Sequence, residues 1–285
     1  MSTDVEHFSG PHAFHGEGPV WHAPWGGLRH VDMLAGDVLR LDADGALVER
    51  IHVGAVAGAL RPRRGGGMVV SVERGFALVD DDNHVETLPE LWDDRNVRMN
   101  EGATDPDGRF YCGSMAYDMT PGAGSLYRLD PSGTTETVLS SVTCSNGLAW
   151  TADGATAYYT DSMTHRIDAF DYDGERGLTG RRPFAAVSED DGLPDGLTVD
   201  RDGGVWVAFY GGSAVRRFGA DGAFEEVLEL PVTQVTACTF GGPDLDELYI
   251  TTSRENVPDG EQPAAGSVYR ARPGVAGLPV VPFAG

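Results

Sequence analysis

The chain has 285 residues, of which 41% are hydrophobic and 23% are charged, so its composition is that of a globular protein and not of a disordered one. Its 44 acidic and 21 basic residues give a formal net charge of -23, which disfavours nucleic acid as a partner. No apolar run approaches bilayer length and no secretory signal pattern is found, so we expect a cytoplasmic protein without a membrane partner.

The first predicted elements are four strand-like segments, at residues 18–21, 28–33, 37–41 and 47–53. The turn at 42–45 precedes the last of them, and it is Asp-rich and ends in Gly, which supplies a positive φ. Similar turns recur at 105–108, 130–133, 151–154, 171–174, 200–203 and 219–222. Alternating apolar strands follow several of these turns, and no segment has the pattern of an amphipathic helix.

Short polar motifs ending in Gly open a series of apolar segments along the chain. They are Glu17-Gly18, Ala57-Gly58, Asn100-Glu101-Gly102, Asn146-Gly147 and Asp195-Gly196, with a degenerate sixth copy near Gln234. Successive motifs start roughly 39 to 49 residues apart, as expected for four-stranded propeller blades. The spacing therefore predicts an all-β protein, a six-bladed β-propeller with four antiparallel strands per blade, formed by one domain over residues 1–285.

In such a ring, the first strand of each blade lines a central channel. We therefore expect Glu17, Asn100, Asn146 and Asp195 to converge at one end of that channel. Each motif alone is a common turn dipeptide, but their recurrence at one point of the repeat favours a shared polar site. Carboxylate and amide oxygens suit a hard divalent cation, which can polarise a carbonyl group and lower the pKa of a bound water.

The sequences and the order of several segments, spread over essentially the whole chain, resemble those of a known family. They are GEGPVW, NEGATDPDGRFYCGSM, SNGLAW, AFDYD, LPDGLTVD with GVWVAFYGG, and FGGPDLDELYITTS with AAGSVYR. Together they resemble the SMP-30/gluconolactonase family, which includes regucalcin. The resemblance implies a six-bladed propeller that hydrolyses sugar lactones and binds a divalent metal through Glu17, Asn146 and Asp195.

The resemblance also implies roles for individual residues. Arg98 and Asn100 would contact the substrate, and Asp195 would be both metal ligand and general base. The family's sugar-binding acid has only an approximate match in Asp118, which is one methylene shorter than Glu. A differently sized sugar ring is one reading of that departure, and a solvated loop acid is the other.

The expected function is hydrolysis of an aldonolactone, such as gluconolactone, to the aldonic acid by a water that Asp195 activates. One divalent ion is expected, with Ca²⁺ first and Zn²⁺, Mn²⁺, Mg²⁺ or Fe²⁺ as alternatives, in a monomer or weak homo-oligomer. An esterase or organophosphate hydrolase using the same site, and a non-catalytic calcium-binding regulatory propeller, remain as alternative functions.

Three further groups of residues are candidates for a functional role. His12, His15 and His22 flank Glu17, but their spacing is weak support for metal ligation. The three cysteines are widely spaced and are interpreted as reduced core thiols. Arg61 opens a short basic cluster interpreted as a solvated turn, with a position facing the channel as the alternative.

Overall fold

The computed structural model describes residues 3–285, which form six four-stranded antiparallel sheets. The prediction of a six-bladed β-propeller with four antiparallel strands per blade is confirmed. Helical structure in the described residues is limited to four short 3₁₀ turns, at Ala23–Trp25, Met33–Ala35, Ser162–Thr164 and Glu189–Asp191. None of the helices within residues 3–285 has the length and apolar character needed to cross a membrane.

The strands follow the chain blade by blade. Blade one contains β2 (Gly16–His22), β3 (Gly27–Asp32), β4 (Asp37–Leu41) and β5 (Leu47–His52), and blade two contains β6 (Ala57–Pro62), β7 (Met68–Val72), β8 (Gly75–Val79) and β9 (Val85–Thr87). Blade three contains β10 (Val97–Thr104), β11 (Phe110–Ala116), β12 (Gly124–Leu129) and β13 (Thr135–Val142), and blade four contains β14 (Ser145–Trp150), β15 (Thr156–Asp161), β16 (Arg166–Asp173) and β17 (Gly177–Ala186). Blade five contains β18 (Leu193–Val199), β19 (Val205–Tyr210), β20 (Ala214–Phe218) and β21 (Phe224–Glu229), and blade six contains β22 (Val235–Gly241), β23 (Glu247–Thr252), β24 (Val268–Ala271) and β1 (Val5–His7).

The ring is closed by a strand from the other end of the chain. Strand β1 pairs antiparallel with β24, with Val5 opposite Ala271 and His7 opposite Tyr269. Blade six therefore takes three strands from the C-terminal part of the chain and its outermost strand from the N-terminal part. This exchange joins the last blade to the first by hydrogen bonds and stabilises the closed ring.

The first strands of the six blades are neighbours around the channel and share one irregularity. Each has a β-bulge near its start: β2 after Glu17, β6 after Ala57, β10 after Met99, β14 after Ser145, β18 after Pro194 and β22 after Val235. A bulge leaves residues unpaired and redirects their side chains. We call the end of the channel where these strands start the upper end, and the opposite end the lower end.

Apolar side chains between neighbouring blades form the core. Trp206 is fully buried and meets Phe240 of blade six edge-on, whereas Trp150 meets Tyr111 of blade three. Both tryptophans therefore pack between neighbouring blades. Cys112, Cys144 and Cys238 are buried free thiols, as expected.

The last ten residues form a segment without regular strands that crosses the lower end. We call residues 276–285 the C-terminal strap. Its Ala276 carbonyl accepts a hydrogen bond from the Arg201 backbone in blade five, and its Phe283 backbone N–H donates to the Pro62 carbonyl in blade two. The Phe283 ring is buried in the core between blades two and three. The strap therefore spans the ring and covers the end of the channel.

Candidate functional site

Three buried carboxylates meet in the channel at its upper end. Glu17, Glu101 and Asp195 lie on β2, β10 and β18, the first strands of blades one, three and five. Each offers an oxygen that lies within 4.8 Å of the corresponding oxygens of the other two. Glu101 and Asp195 lie within the bulges of their strands and Glu17 directly precedes the bulge of β2, so acids from alternate blades are placed around one point.

Two of the motif glycines allow the strands to approach closely here. A Cβ at Gly147 would lie 2.8 Å from the Asp195 carbonyl oxygen, and one at Gly196 would lie 2.6 Å from Glu101 Oε2. Any side chain at these positions would displace a neighbouring strand or an acid of the site. The glycines in the motifs are therefore needed for packing at the site, beyond their usual place in turns.

Burial makes these acids resist ionisation. It is the largest effect that raises the pKa of Glu17 and of Asp195 well above the usual carboxyl range, and neighbouring acids raise both further. Burial also raises the pKa of Glu101 to about 7, against the opposing effect of Arg61. Asp195 Oδ1 and Glu101 Oε2 are buried without a hydrogen-bond partner. The effects of Arg98, Arg61 and the backbone N–H groups of Gly18 and Gly196 do not offset this burial, so the cluster has too little positive charge and too few donors for three carboxylates, a deficit that a bound cation would remove.

Arg98, Asn100 and Asn146 form a hydrogen-bonded chain next to the acids. Arg98 donates to Asn100 Oδ1 at 2.6 Å, and Asn100 Nδ2 donates to Asn146 Oδ1 at 3.3 Å and to the Ser145 carbonyl at 2.8 Å. Asn146 Nδ2 in turn donates to Ser162 Oγ at 2.9 Å. The structure thus brings together all of the residues expected to converge, with their amide orientations fixed by hydrogen bonds.

The comparisons with known proteins agree with this geometry. The model of the SMP-30/Gluconolactonase/LRE-like region matches residues 15–254. The chain belongs to the SMP-30/gluconolactonase family. Regucalcin of Xenopus laevis is 35% identical over 283 residues, covering 95% of each chain.

Two solved structures share the fold of the present protein. The calcium-binding protein regucalcin of Agrobacterium tumefaciens has a TM-score of 0.92 at 24% identity and covers 99% of this chain and 98% of its own. The gluconolactonase XC5397 of Xanthomonas campestris has a TM-score of 0.78 at 23% identity, with 95% and 89% covered. The complete propeller, and not one part of it, is therefore shared.

Glu101 is a member of the acid cluster that sequence reasoning missed. It stands directly after Asn100, so regular strand alternation would point the two side chains in opposite directions. The register of β10 against β11 shifts between Met99 and Gly102, and this bulge directs both residues into the site. Gly102 was the available signal, because a glycine in the interior of a strand often marks a bulge.

His15 is a second residue that lies next to the acid cluster although its sequence spacing gave only weak support for a place in the site. Its Nδ1 lies 2.8 Å from Ser253 Oγ and 3.2 Å from Glu255 Oε2, and its Nε2 lies 3.9 Å from Glu17 Oε1. Burial and Arg98 lower the pKa of His15 to about 3, so the ring is neutral at pH 7. His15 therefore borders the acid cluster. None of these contacts indicates that it is a metal ligand.

Asp118 lies apart from this network. It is exposed, and its Oδ1 accepts hydrogen bonds from the backbone N–H and the hydroxyl of Thr120. The neighbouring Tyr117 lies closer to the site, with its ring 5.7 Å from the Arg98 guanidinium carbon. The substrate role expected for Asp118 stays a prediction.

Glu17, Asn146 and Asp195, the expected ligand set, are all buried and carry oxygen donors. These donors fit a divalent cation such as Ca²⁺, and the unpartnered oxygen of Asp195 provides an open ligand atom. Glu101 adds a third carboxylate at the same point. The residues present therefore fit the metal that the family implies.

Proposed function

We propose that this protein hydrolyses a sugar lactone at the upper end of the channel, with a divalent cation held by Glu17, Asn146 and Asp195. The observation that carries the proposal is the meeting of three buried carboxylates next to an Asn pair and Arg98. The family to which the chain belongs is named for gluconolactonase, which supports the choice of substrate class.

Arg98 and Asn100 would orient the hydroxylated ring. Arg98 is buried, and no carboxylate of the described residues lies within 4.0 Å of its guanidinium. Its free donors can therefore bind sugar hydroxyls or the ester oxygen. Asn100 is held from both sides, by Arg98 and by the Ser145 carbonyl, so its amide is fixed before substrate arrives.

Asp195 would take the proton of the attacking water. Its Oδ1 has no hydrogen-bond partner, so this oxygen is available to accept a proton from a neighbouring water. The cation, when bound, would polarise the ester carbonyl and stabilise negative charge on its oxygen. After ring opening, the proton held by Asp195 would return to the alkoxide oxygen that leaves.

The test is acid release from a panel of aldonolactones, measured with added Ca²⁺, Zn²⁺ or Mn²⁺ and after treatment with EDTA. We expect turnover of at least one aldonolactone, loss of turnover with EDTA, and recovery when the metal is restored. Absence of metal-dependent turnover on every aldonolactone would contradict the proposal.

Hydrolysis of an apolar or aryl ester at the same site is the second candidate. Large apolar side chains are exposed in the loops of the upper end, among them Phe14, Tyr117 and Met163. They would suit a substrate with an aromatic or alkyl group. Phenyl acetate and an aryl organophosphate therefore belong in the panel, and turnover of these alone would select this candidate. Cation binding without any turnover would instead favour a regulatory calcium-binding protein.

A further inference from the structure

The lower half of the channel contains a cavity of about 380 Å³, within the size range of about 300–1,000 Å³ that is typical of small-molecule pockets. Its wall includes Arg61, Thr104 and Thr239 from three inner strands, and its lower side is closed by residues 278–281 of the C-terminal strap. None of Glu17, Arg98, Asn100, Asn146 and Asp195 lines it. The cavity is therefore separate from the candidate metal site, and only Glu101 belongs to both.

Arg61 is a cation without a close counter-ion in this cavity. Its Nη1 donates to the Leu60 carbonyl at 2.6 Å, and no carboxylate in residues 3–285 comes within 4.0 Å of its guanidinium. Arg217, by contrast, pairs with Asp200 at 2.8 Å. A charged guanidinium enclosed by protein without such a partner is costly, so an anion that enters the cavity would be stabilised.

The polar side chains around Arg61 include further donors. Thr104 is buried, and its hydroxyl has no hydrogen-bond partner, while the Thr239 hydroxyl has only a 3.5 Å contact to the next carbonyl along the chain. Two carboxylates also line the cavity. Glu101 faces the acid cluster, and Asp153 is exposed at the opening, where it accepts hydrogen bonds within its own turn.

We propose that the lower half of the channel binds a small organic monoanion whose carboxylate pairs with Arg61. The planar guanidinium presents two parallel donors to a carboxylate, and the hydroxyls of Thr104 and Thr239 suit polar groups next to it. A single negative charge is favoured over two because the Glu101 carboxylate lines the same cavity. This proposal does not depend on lactone hydrolysis.

The test uses acetate and lactate as monoanions and sulfate as the dianion, in calorimetric titrations of the full-length protein loaded with Ca²⁺. We expect saturable binding of the carboxylates and weaker binding of sulfate. Arg61→Gln should weaken carboxylate binding by about tenfold or more, as loss of a charge-assisted pair predicts. Arg64→Gln removes the same charge from an exposed position three residues away and should change affinity less than about twofold.

A crystal of the unaltered protein soaked in bromide gives an independent measurement. We expect an anomalous bromide peak next to the Arg61 guanidinium. No saturable carboxylate binding, equal affinity in Arg61→Gln and in the unaltered protein, or bromide peaks only outside the cavity would each overturn the proposal. Because turnover is not measured, these results are independent of whether the protein is a lactonase. Unfolding temperatures of both variants identify any loss of fold. If Arg61→Gln does not fold, the bromide experiment on the unaltered protein decides whether the cavity binds an anion.

Discussion

The two halves of the central channel are lined by the same six strands and yet have opposite chemistry. In the upper half, Glu17, Glu101 and Asp195 each have a carboxylate oxygen within 4.8 Å of those of the other two. In the lower half, Arg61 faces a cavity without an acidic partner within 4.0 Å. The acids lie in or next to the β-bulges near the strand starts, whereas Arg61 lies where β6 pairs regularly with β7, so the difference follows from where along the strands the charged residues stand.

The largest effect is expected at the upper half. Asp195→Asn removes the proton acceptor while preserving the size of the side chain, so kcat/KM on the best aldonolactone should fall by about 10³-fold or more. Asp153→Asn, at the exposed opening of the lower half, is the matched control and should retain activity. Far-UV circular dichroism must show that both variants are folded. Full activity in Asp195→Asn would exclude it as the base.

A change at the strap should separate stability from metal binding. Phe283→Ala empties a buried site between blades two and three and should lower the free energy of unfolding by about 3 kcal/mol. The affinity for Ca²⁺ should remain unchanged, because the strap does not touch the acid cluster. Phe224→Ala, at an exposed position, serves as control in urea unfolding. A parallel loss of Ca²⁺ affinity would show that the two halves are coupled.

Glu101 belongs to both halves of the channel, so replacing it tests whether the acid cluster of the upper half needs all three carboxylates. Glu101→Gln keeps the shape and removes one of three carboxylates. We expect Ca²⁺ affinity to fall by about 10- to 100-fold, the range found when groups supporting a metal site are removed. Glu175→Gln, on an exposed turn, should bind Ca²⁺ with unchanged affinity in the same titration. If the affinity of Glu101→Gln were also unchanged, Glu101 would have no part in the cation site.

The smallest effect concerns pH. Because the pKa of Glu101 rises from 4.5 to about 7 on folding, the folded metal-free protein binds more protons than the unfolded chain between these values. Its stability should therefore decrease as pH rises from about 5 to 7, by at most about 1.4 kcal/mol per pH unit for one proton. Unfolding temperatures in EDTA measure this decrease. Glu101→Gln should reduce it, and saturating Ca²⁺ should abolish it.

Much of the fold could be predicted from sequence because the repeat has a local cause. Each of the first five blades has an Asp-rich turn ending in Gly, a motif glycine or both, and their inner strands fall where the motifs predict. Strand β1 could not be predicted in this way. It has only three residues, Val5–His7, and its pairing with β24 is a long-range contact that leaves no local pattern.

The candidate site, too, could be predicted only where a local sequence motif marks it. Glu17, Asn146 and Asp195 were assigned through motif position and family resemblance, whereas Glu101 requires knowledge of the bulge in β10. Arg61 stands in a cluster of arginines that is typical of a solvated turn, and its channel position depends on where β6 ends. The C-terminal strap has no periodicity at all, so neither its path nor the cavity that it closes was visible in the sequence.

The closure of blade six has a consequence for how the molecule reaches its native state. Val5 pairs with Ala271, so the pairing that completes the ring is among the least local in the chain, and we expect it to form late in folding. Contacts of such high sequence separation slow folding. Early folding intermediates should therefore carry an open sixth blade with the unpaired edge of β24 exposed, a surface on which two incompletely folded molecules can associate.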